Sequence, residues 1–333
     1  MIESRHVSLA CGNGGRFMRE LVEQVFLRHL GAFDGSTDAA HVPLPQGDVM
    51  VTTDGFTVQP LEFPGGDIGS LAVHGTVNDL AVCGAIPAYL CLSAFIEEGF
   101  ELERLERFVV SMAEAARLCG VRIVAGDTKV LRRGEGGGVY FSTTGIGVRR
   151  PGLRYGPQHV CDGDVLLVSG PVGDHGTAVL LAREEFGLRG DLASDAASVL
   201  PLTRSLHELP GVRFMRDPTR GGLATVAHEL ARASGLCVRL HGPSIPVRDP
   251  VRSVCDMLGF DPLYLACEGR VLAVVAPETA APALAAWQAL PSGRHAAVVG
   301  KLHSGRVQVV LETELGGERI LQELEDDPLP RIC

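Results

Sequence analysis

The sequence predicts a two-domain protein of mixed α/β (α+β) class, on three observations. The chain has 333 residues, too many for one small core and suited to two domains of ordinary size. Strand-like and helix-like runs mix in both halves without the strict βαβ period of a doubly wound sheet. A segment with two prolines and two glycines, Arg149 to Pro157, reads as a linker between them. The expected division is an N-terminal sheet domain over 1–150, a C-terminal α/β domain over 151–325, and an extended, mobile tail over 326–333.

The elements follow in order. Apolar Phe17, Leu21, Val22, Val25, Phe26 and Leu30 recur at helical spacing after the glycine loop Gly12 to Gly15, so a loop feeds a helix over Arg16 to Leu30. Val49 to Thr53 reads as a strand running into Asp54. A helical stretch follows Asp67 and continues through Leu80, and another spans Leu102 to Cys119. Val121 to Ala125 and Val139 to Val148 are strand candidates rich in β-formers, the first ending at Gly126 and Asp127. Beyond the linker come a strand at Val165 to Ser169, a turn over Gly170 to Gly176, and helices near Thr177 to Arg183, Leu223 to Ala233 and Val251 to Leu258. Strands are expected at Val271 to Ala276, Ala296 to Val299 and Val307 to Leu311, with a last helix near Leu321 to Asp327 stopped by Pro328 and Pro330.

Composition narrows the function classes. Hydrophobic residues make up 46% of the chain, charged residues 21% and aromatics 5%, a packed globular composition. The net charge of -10 repels polyanions, which argues against nucleic acid or an acidic membrane as partner. No apolar run approaches the ~20 residues of a membrane span, and Met1 to His6 carries Glu3 and Arg5 in place of a signal-peptide core, so a cytoplasmic location is expected. The nine cysteines contain no CxxC pair, and Cys83, Cys91, Cys119 and Cys237 lie in apolar stretches, so neither disulfides nor a zinc site is expected.

Candidate chemistry begins with carboxylates. Asp54, Asp67, Asp79 and Asp127 each follow an apolar segment, and hard oxygen ligands of this kind suit Mg²⁺ held together with nucleotide phosphates. The alternative for each is a helix cap or a turn. Asn78 offers a neutral oxygen and Lys129 a point charge for a phosphate. Gly12, Asn13, Gly14 and Gly15 could aim backbone N–H groups at phosphates, although they match neither the P-loop nor the dinucleotide fingerprint. In the second half, Asp217 to Gly222 forms a polar turn whose Arg220 either clamps phosphate or ties the turn. Asp174 and His175, between Gly173 and Gly176, are equally open between site and scaffold. Glu268 is either a general base or a surface turn residue.

Cys333 ends the sequence. A thiol there gains nothing from packing and invites oxidation, which points to chemistry. The adjacent carboxylate disfavours the thiolate and Arg331 partly restores it. From Asp326 onward such an arm would reach roughly 25 Å at about 3.3 Å per residue.

These residues fall in the stretches TTDGFTVQPLEFPGGDIG (52–69), VNDLAVCGA (77–85), GDTKV (126–130), VSGPVGDHG (168–176), RDPTRGGLA (216–224) and PRIC (330–333). In them the chain resembles the HypE family of hydrogenase maturation factors, within the superfamily of aminoimidazole ribonucleotide synthetase and selenophosphate synthetase. The likeness covers nearly the whole sequence, and the cysteine tail is specific to that family. It implies an ATP-binding homodimer joined through its N-terminal halves, with ATP and Mg²⁺ at Asp54, Asp67, Asn78, Asp79, Asp127 and Lys129, and Asp217 a further metal position. It also implies that a carbamoyltransferase, HypF, loads a carbamoyl group on Cys333. ATP-dependent dehydration then gives a thiocyanate, and the cyano group passes to iron on a HypC–HypD complex. The chemistry is consistent with the residues: an amide-type oxygen does not leave as hydroxide, whereas phosphorylation makes phosphate the leaving group and requires a cation and a base. Cys11 stands where the family has histidine, Asn13 where it has serine, and Cys267 where it has asparagine. Two rival readings remain: a synthetase or kinase of the same superfamily acting on a free small molecule, which leaves Cys333 unexplained, and a non-catalytic tail carrier.

Overall fold

The computed structural model describes residues 5–13, 15–31, 39–183, 187–188, 190–325 and 329–333. A helical run opens the first domain: α1 (Gly15–Leu21), a π-helical stretch (Val22–Leu27) and α2 (Arg28–Leu30), with Leu21, Val25 and Phe26 buried. Then come β1 (Asp48–Phe56), the short pair β2 (Glu62–Phe63) and β3 (Gly66–Asp67), α3 (Ile68–Val82), β4 (Ala85–Glu97), α4 (Leu102–Cys119), β5 (Arg122–Leu131) and β6 (Val139–Arg149). The main sheet has the order β1-β6-β4-β5, antiparallel except for the parallel pair β4 and β5.

One face of this sheet is covered and the other is open. Alternation along each strand sends Asp54, Phe56, Phe141, Thr143, Leu92 and Thr128 inward, while Val49, Val51, Asp127 and Lys129 point outward. Helix α4 buries Leu105, Phe108, Val109, Met112, Ala116 and Cys119, spaced by three or four residues, and leaves its charged side to solvent. Gly120 ends it at φ 71 in the left-handed region, with its N–H on the carbonyls of Ala116 and Arg117. Helix α3 is buried nearly all round, because it packs on β1 and β6, against α4, and on elements of the second domain.

The second domain contains β7 (Val165–Val168), α5 (Asp174–Ala182), α6 (Leu200–Leu206), β8 (Val212–Arg216), α7 (Gly222–Ser234), β9 (Cys237–His241), α8 (Asp249–Leu258), β10 (Leu272–Val275), α9 (Ala280–Gln288), β11 (Ala297–His303), β12 (Val309–Glu312) and β13 (Glu318–Ile320). Its seven-stranded sheet runs β13-β12-β9-β11-β7-β10-β8, with only β12 and β9 parallel. Leu166, Val168, Leu272 and Val274 meet α7 on one face, and Val165, Leu167, Ala273 and Val275 share the other core with Trp287 and Leu202. Burial on both faces explains why β7 and β10 are continuous apolar runs.

Several expectations need correction. Strand β4 has no counterpart in the sequence reading because Pro87 interrupts the run; Pro87 sits where the register with β6 shifts, a bulge that tolerates proline. Strand β5 runs on through Lys129 to Leu131, past the end expected at Gly126 and Asp127. Helix α5 starts at Asp174, inside the expected turn. The helix expected near Leu321 to Asp327 is absent over 321–325, where the Leu321 N–H bonds the Val309 carbonyl, and 326–328 lie outside the described residues. In place of a free arm, Leu329 to Cys333 lies docked: Leu329 and Ile332 are buried and Cys333 packs against the main core.

Candidate active site

The β1 strand and α3 helix assemble the first wall. Thr52 and Asp54 are two apart on the inward face of β1, and Thr76 and Asp79 are three apart on the facing side of α3. Thr52 Oγ1 donates to Asp79 Oδ2 at 2.7 Å, and Thr76 Oγ1 donates to Asp54 Oδ2 at 3.3 Å. The second wall comes from the other domain. Asp217 follows β8, and the turn that carries it closes with Gly222 N–H on the Thr219 carbonyl at 2.9 Å before α7 begins. Gly222 is required there: its φ is 58, and a Cβ would stand 2.5 Å from the Leu263 carbonyl oxygen.

Glu268 closes the cleft. It is 2% exposed, and its Oε1 is buried without a hydrogen-bond partner among the described residues. Its Oε2 and the Phe56 ring both face Gly75 of α3, 4.0 and 2.9 Å from where a Cβ would be. Asp195 fixes the backbone by accepting from the N–H groups of Glu268 and Gly269 at 3.1 and 3.3 Å.

The electrostatics reflect crowded negative charge. Burial, then the Asp79 charge, pushes Asp54 up to about 6. Burial, again with Asp79 second, pushes Asp217 up to about 7. Burial and then Asp217 and Asp195 hold Glu268 well above the ordinary carboxylate range. Exposed Arg220 acts on Asp54 in the opposite sense, which places a cation at the mouth.

The remaining candidates are placed elsewhere. Asp67 caps α3, accepting from the N–H groups of Gly69 and Ser70 in a capping box, and burial raises its pKa. At about 1.5 Å per residue it lies roughly 18 Å along the helix from Asp79. Asn78 is not turned toward a ligand. It is 1% exposed, donates to the carbonyls of Ala197 and Glu268, and accepts from the Val199 N–H, tying α3 to the second domain. Asp127 and Lys129 pair at 2.8 Å on the outward face of β5, and that bond to Lys129 lowers the Asp127 pKa. An apolar hollow of about 90 Å³ opens beside Asp127, lined by Met18, Val22, Phe26 and Ile123. Gly12 lies against Val130 of β5, where a Cβ would be 2.8 Å from the Val130 Cβ. The glycine loop with Asn13 and Gly15 therefore neighbours Lys129 and not the acidic cleft; Gly14 is outside the described residues. Among the described residues no group of three His, Cys, Asp or Glu side chains gathers tightly enough to hold a metal ion unaided. That donor set fits a magnesium ion that takes most of its oxygens from phosphate and water.

Asp174 and His175 are both buried. Asp174, raised to about 6 by burial and then Asp195, pairs with Arg248 at 3.1 Å and Arg270 at 3.4 Å. Cys267 packs beneath, where its Sγ accepts from the Gly173 N–H at 3.2 Å. The tail enters the same region: the Thr57 N–H donates to the main-chain oxygen of Cys333 at 2.9 Å, and the Gln59 N–H to the Arg331 carbonyl at 3.1 Å. Cys333 is thus bound to the residue that follows Phe56, whose ring shares the surface of Gly75 with the Glu268 carboxyl. Thr52, Thr76 and Asp195 escaped the sequence reading; the threonines precede Asp54 and Asp79 by two and three residues, a spacing that signals them only once strand and helix are assigned.

Residues 36–149 match the family model of the AIR synthase related protein N-terminal domain, and 162–312 match that of its C-terminal domain. Two such domains meeting at an acidic cleft place the chain in the AIR synthase related class. Carbamoyl dehydratase HypE of Azotobacter vinelandii is 46% identical over 331 residues, 98% of this chain and 97% of that protein. A crystal structure of the hydrogenase maturation protein HypE in complex with ATP superposes with a TM-score of 0.93 at 44% identity, covering 98% of this chain and 99% of that one. A structure of a HypE–HypF complex gives 0.81 at 42% identity, covering 92% and 99%. The chain belongs to the carbamoyl dehydratase HypE family.

Proposed function

We propose that this protein makes the cyanide ligand of [NiFe] hydrogenase, by ATP-dependent dehydration of a carbamoyl group carried on the Cys333 thiol. The observation that carries this reading is the docking of Leu329 to Cys333 beside the cleft of Asp54, Asp79, Asp217 and Glu268. The carbamoyl oxygen attacks the γ-phosphorus and expels ADP while the nitrogen loses one proton. The C–O bond then breaks with loss of the second N–H proton, so phosphate leaves and Cys333 S–C≡N remains. Glu268 is the proton acceptor in this scheme, because its unpartnered oxygen faces the interior and its raised pKa makes it a strong base once ionised. Arg220, exposed and close enough for its charge to act on Asp54, would meet phosphate in this scheme. Magnesium bound with the phosphates would neutralise the charge that Asp54, Asp79 and Asp217 crowd together.

HypF is the proposed carbamoyl donor and an iron-carrying HypC–HypD complex the acceptor, with cytoplasmic location following from those partners. No helix among the described residues is long and apolar enough to cross a membrane. The proposed homodimer forms through the outward face of the first sheet, the surface that carries Asp127 and Lys129. These two and the glycine loop would then serve the nucleotide from that interface.

The test is intact mass spectrometry of wild-type protein and Cys333→Ala after incubation with HypF, carbamoyl phosphate and ATP. Wild type should pass through the carbamoyl mass to the thiocyanate mass, and Cys333→Ala should show neither. A modified alanine variant would return the reading to a synthetase acting on a free substrate. Dehydration at the wild-type rate after Asp79→Asn would move the nucleotide site off this cleft, whereas a wild type that stops at the carbamoyl mass would favour the non-catalytic carrier.

A further inference from the structure

The tail is held by side chains of helix α5 that the proposed chemistry does not use. His175 Nε2 lies 2.8 Å from the Ile332 carbonyl oxygen, and its Nδ1 lies 2.8 Å from Ser194 Oγ. A carbonyl only accepts, so Nε2 carries the proton and Nδ1 accepts from the serine hydroxyl. The ring is further held edge-on by Phe63, with centroids 5.3 Å apart. Two turns later, Arg183 Nε donates to the Gln59 carbonyl at 2.9 Å, and its Nη2 to the carbonyls of Pro330 and Arg331 at 2.6 and 3.0 Å. One helix thus grips three consecutive tail carbonyls, the last of them immediately before Cys333.

Ser194 connects this grip to the cleft. The next residue, Asp195, accepts from the backbone N–H groups of Glu268 and Gly269, and the Val199 N–H a few residues on bonds Asn78 of α3. The segment that orients His175 is therefore the segment that sets the Glu268 backbone. We infer that His175 and Arg183 are positioning residues that dock the tail and set the register between the Cys333 thiol and Glu268. Burial lowers the His175 pKa, which keeps the imidazole neutral and its single N–H committed to the tail.

This inference rests on Cys333 as the carbamoyl carrier only for its effect on rate; the docking itself is measurable without that chemistry. His175→Asn keeps an amide near Ser194 but loses the donor to Ile332, whereas His175→Gln can restore that donor. Arg183→Gln, at a half-buried helix end, supplies a variant with little risk of misfolding. Hydrogen exchange at the Thr57 and Gln59 amides reports docking directly, since both donate to main-chain oxygens of the tail. Exchange there, and alkylation of Cys333, should rise about tenfold in His175→Asn and Arg183→Gln, the size expected for one buried hydrogen bond, and return toward wild type in His175→Gln. On protein already carbamoylated by HypF, the Asn and Arg183 variants should dehydrate about tenfold more slowly while HypF loading is not slowed. Wild-type exchange and alkylation in both of those variants would overturn the inference, as would equal damage by Gln and Asn at 175 or equal slowing of loading and dehydration. Absence of a carbamoyl mass on the wild type would instead remove the carrier reading and leave the docking result standing.

Discussion

Asp217 illustrates how residue type and residue role separate. The sequence supplied a carboxylate in a polar turn; burial at the foot of β8 beside Asp54 and Asp79 makes it titrate near neutrality, at about 7 against an ordinary 3.8. A carboxyl whose folded pKa is raised binds more protons folded than unfolded between about 4 and 7. Its contribution to stability is therefore present below about 4 and lost as pH rises through about 7. Asp54, at about 6, adds to the same slope. The expected outcome is that Asp217→Asn stabilises the nucleotide-free protein by about 1–3 kcal/mol at pH 8, that this gain shrinks steadily as pH falls and vanishes only below about pH 4, and that the variant abolishes dehydration. Urea unfolding at several pH values, paired with the intact-mass assay, checks both halves. At Glu268, Glu268→Gln should leave carbamoyl loading intact and slow dehydration by about 100-fold or more, read as accumulated carbamoylated protein. Wild-type turnover in that variant would assign proton removal to another group. Asp127 and Lys129 show the limit of reading at this scale: the residue types and their proximity were legible, but a strand's two faces differ by a single position, and only the register with β4 shows that both point outward.

At the scale of elements, helix α4 was legible to the residue, because its apolar positions recur at the helical period and Gly120 terminates it. Helix α3 was legible as a helix but not in its orientation, since it is apolar on every side and offers no stripe to face inward. That ambiguity hid Asn78, whose partners are 119 and more residues away in sequence. Asn78→Ala leaves two carbonyls and one N–H buried without it, and is expected to destabilise the protein by about 2–4 kcal/mol. It should also lower dehydration below what the stability loss accounts for, because the Glu268 carbonyl is one of the groups released. Chemical denaturation and single-turnover rates at a temperature where the variant remains folded separate the two effects. The glycine turn before α7 makes a parallel case. Gly222→Ala forces a Cβ onto the Leu263 carbonyl at a φ of 58, so it should cost about 2 kcal/mol or more and displace Asp217 and Arg220 together.

For the whole molecule, two sheets and one shared core bring residues as distant as Asp54 and Glu268 into one cleft, an arrangement that composition and periodicity leave open. The sheet that builds one wall is covered on one face only. On its other face Val49, Val51 and Ile86 are 52%, 64% and 44% exposed, in register on neighbouring strands through Val148 and Ile146. Exposed β-branched side chains aligned across strands are costly to leave in water and suit a twofold interface, where one patch meets its own copy. Val51→Glu tests this with little disturbance of the fold, since a mostly solvent-exposed side chain contributes under about 0.5 kcal/mol to the monomer. A glutamate buried in that interface on each protomer would, by contrast, be left unpaired, enough to dissociate a micromolar dimer. Light scattering at micromolar concentration should show a dimer for the wild type and a monomer for the variant at unchanged unfolding midpoint. Because Asp127 and Lys129 lie on that same face, the monomer should also bind ATP more weakly, and Lys129→Ala should weaken ATP binding in the dimer while adding nothing in the monomer. Additive losses would place the Lys129 contribution within one chain, and a Val51→Glu variant that stays dimeric would move the interface off this sheet.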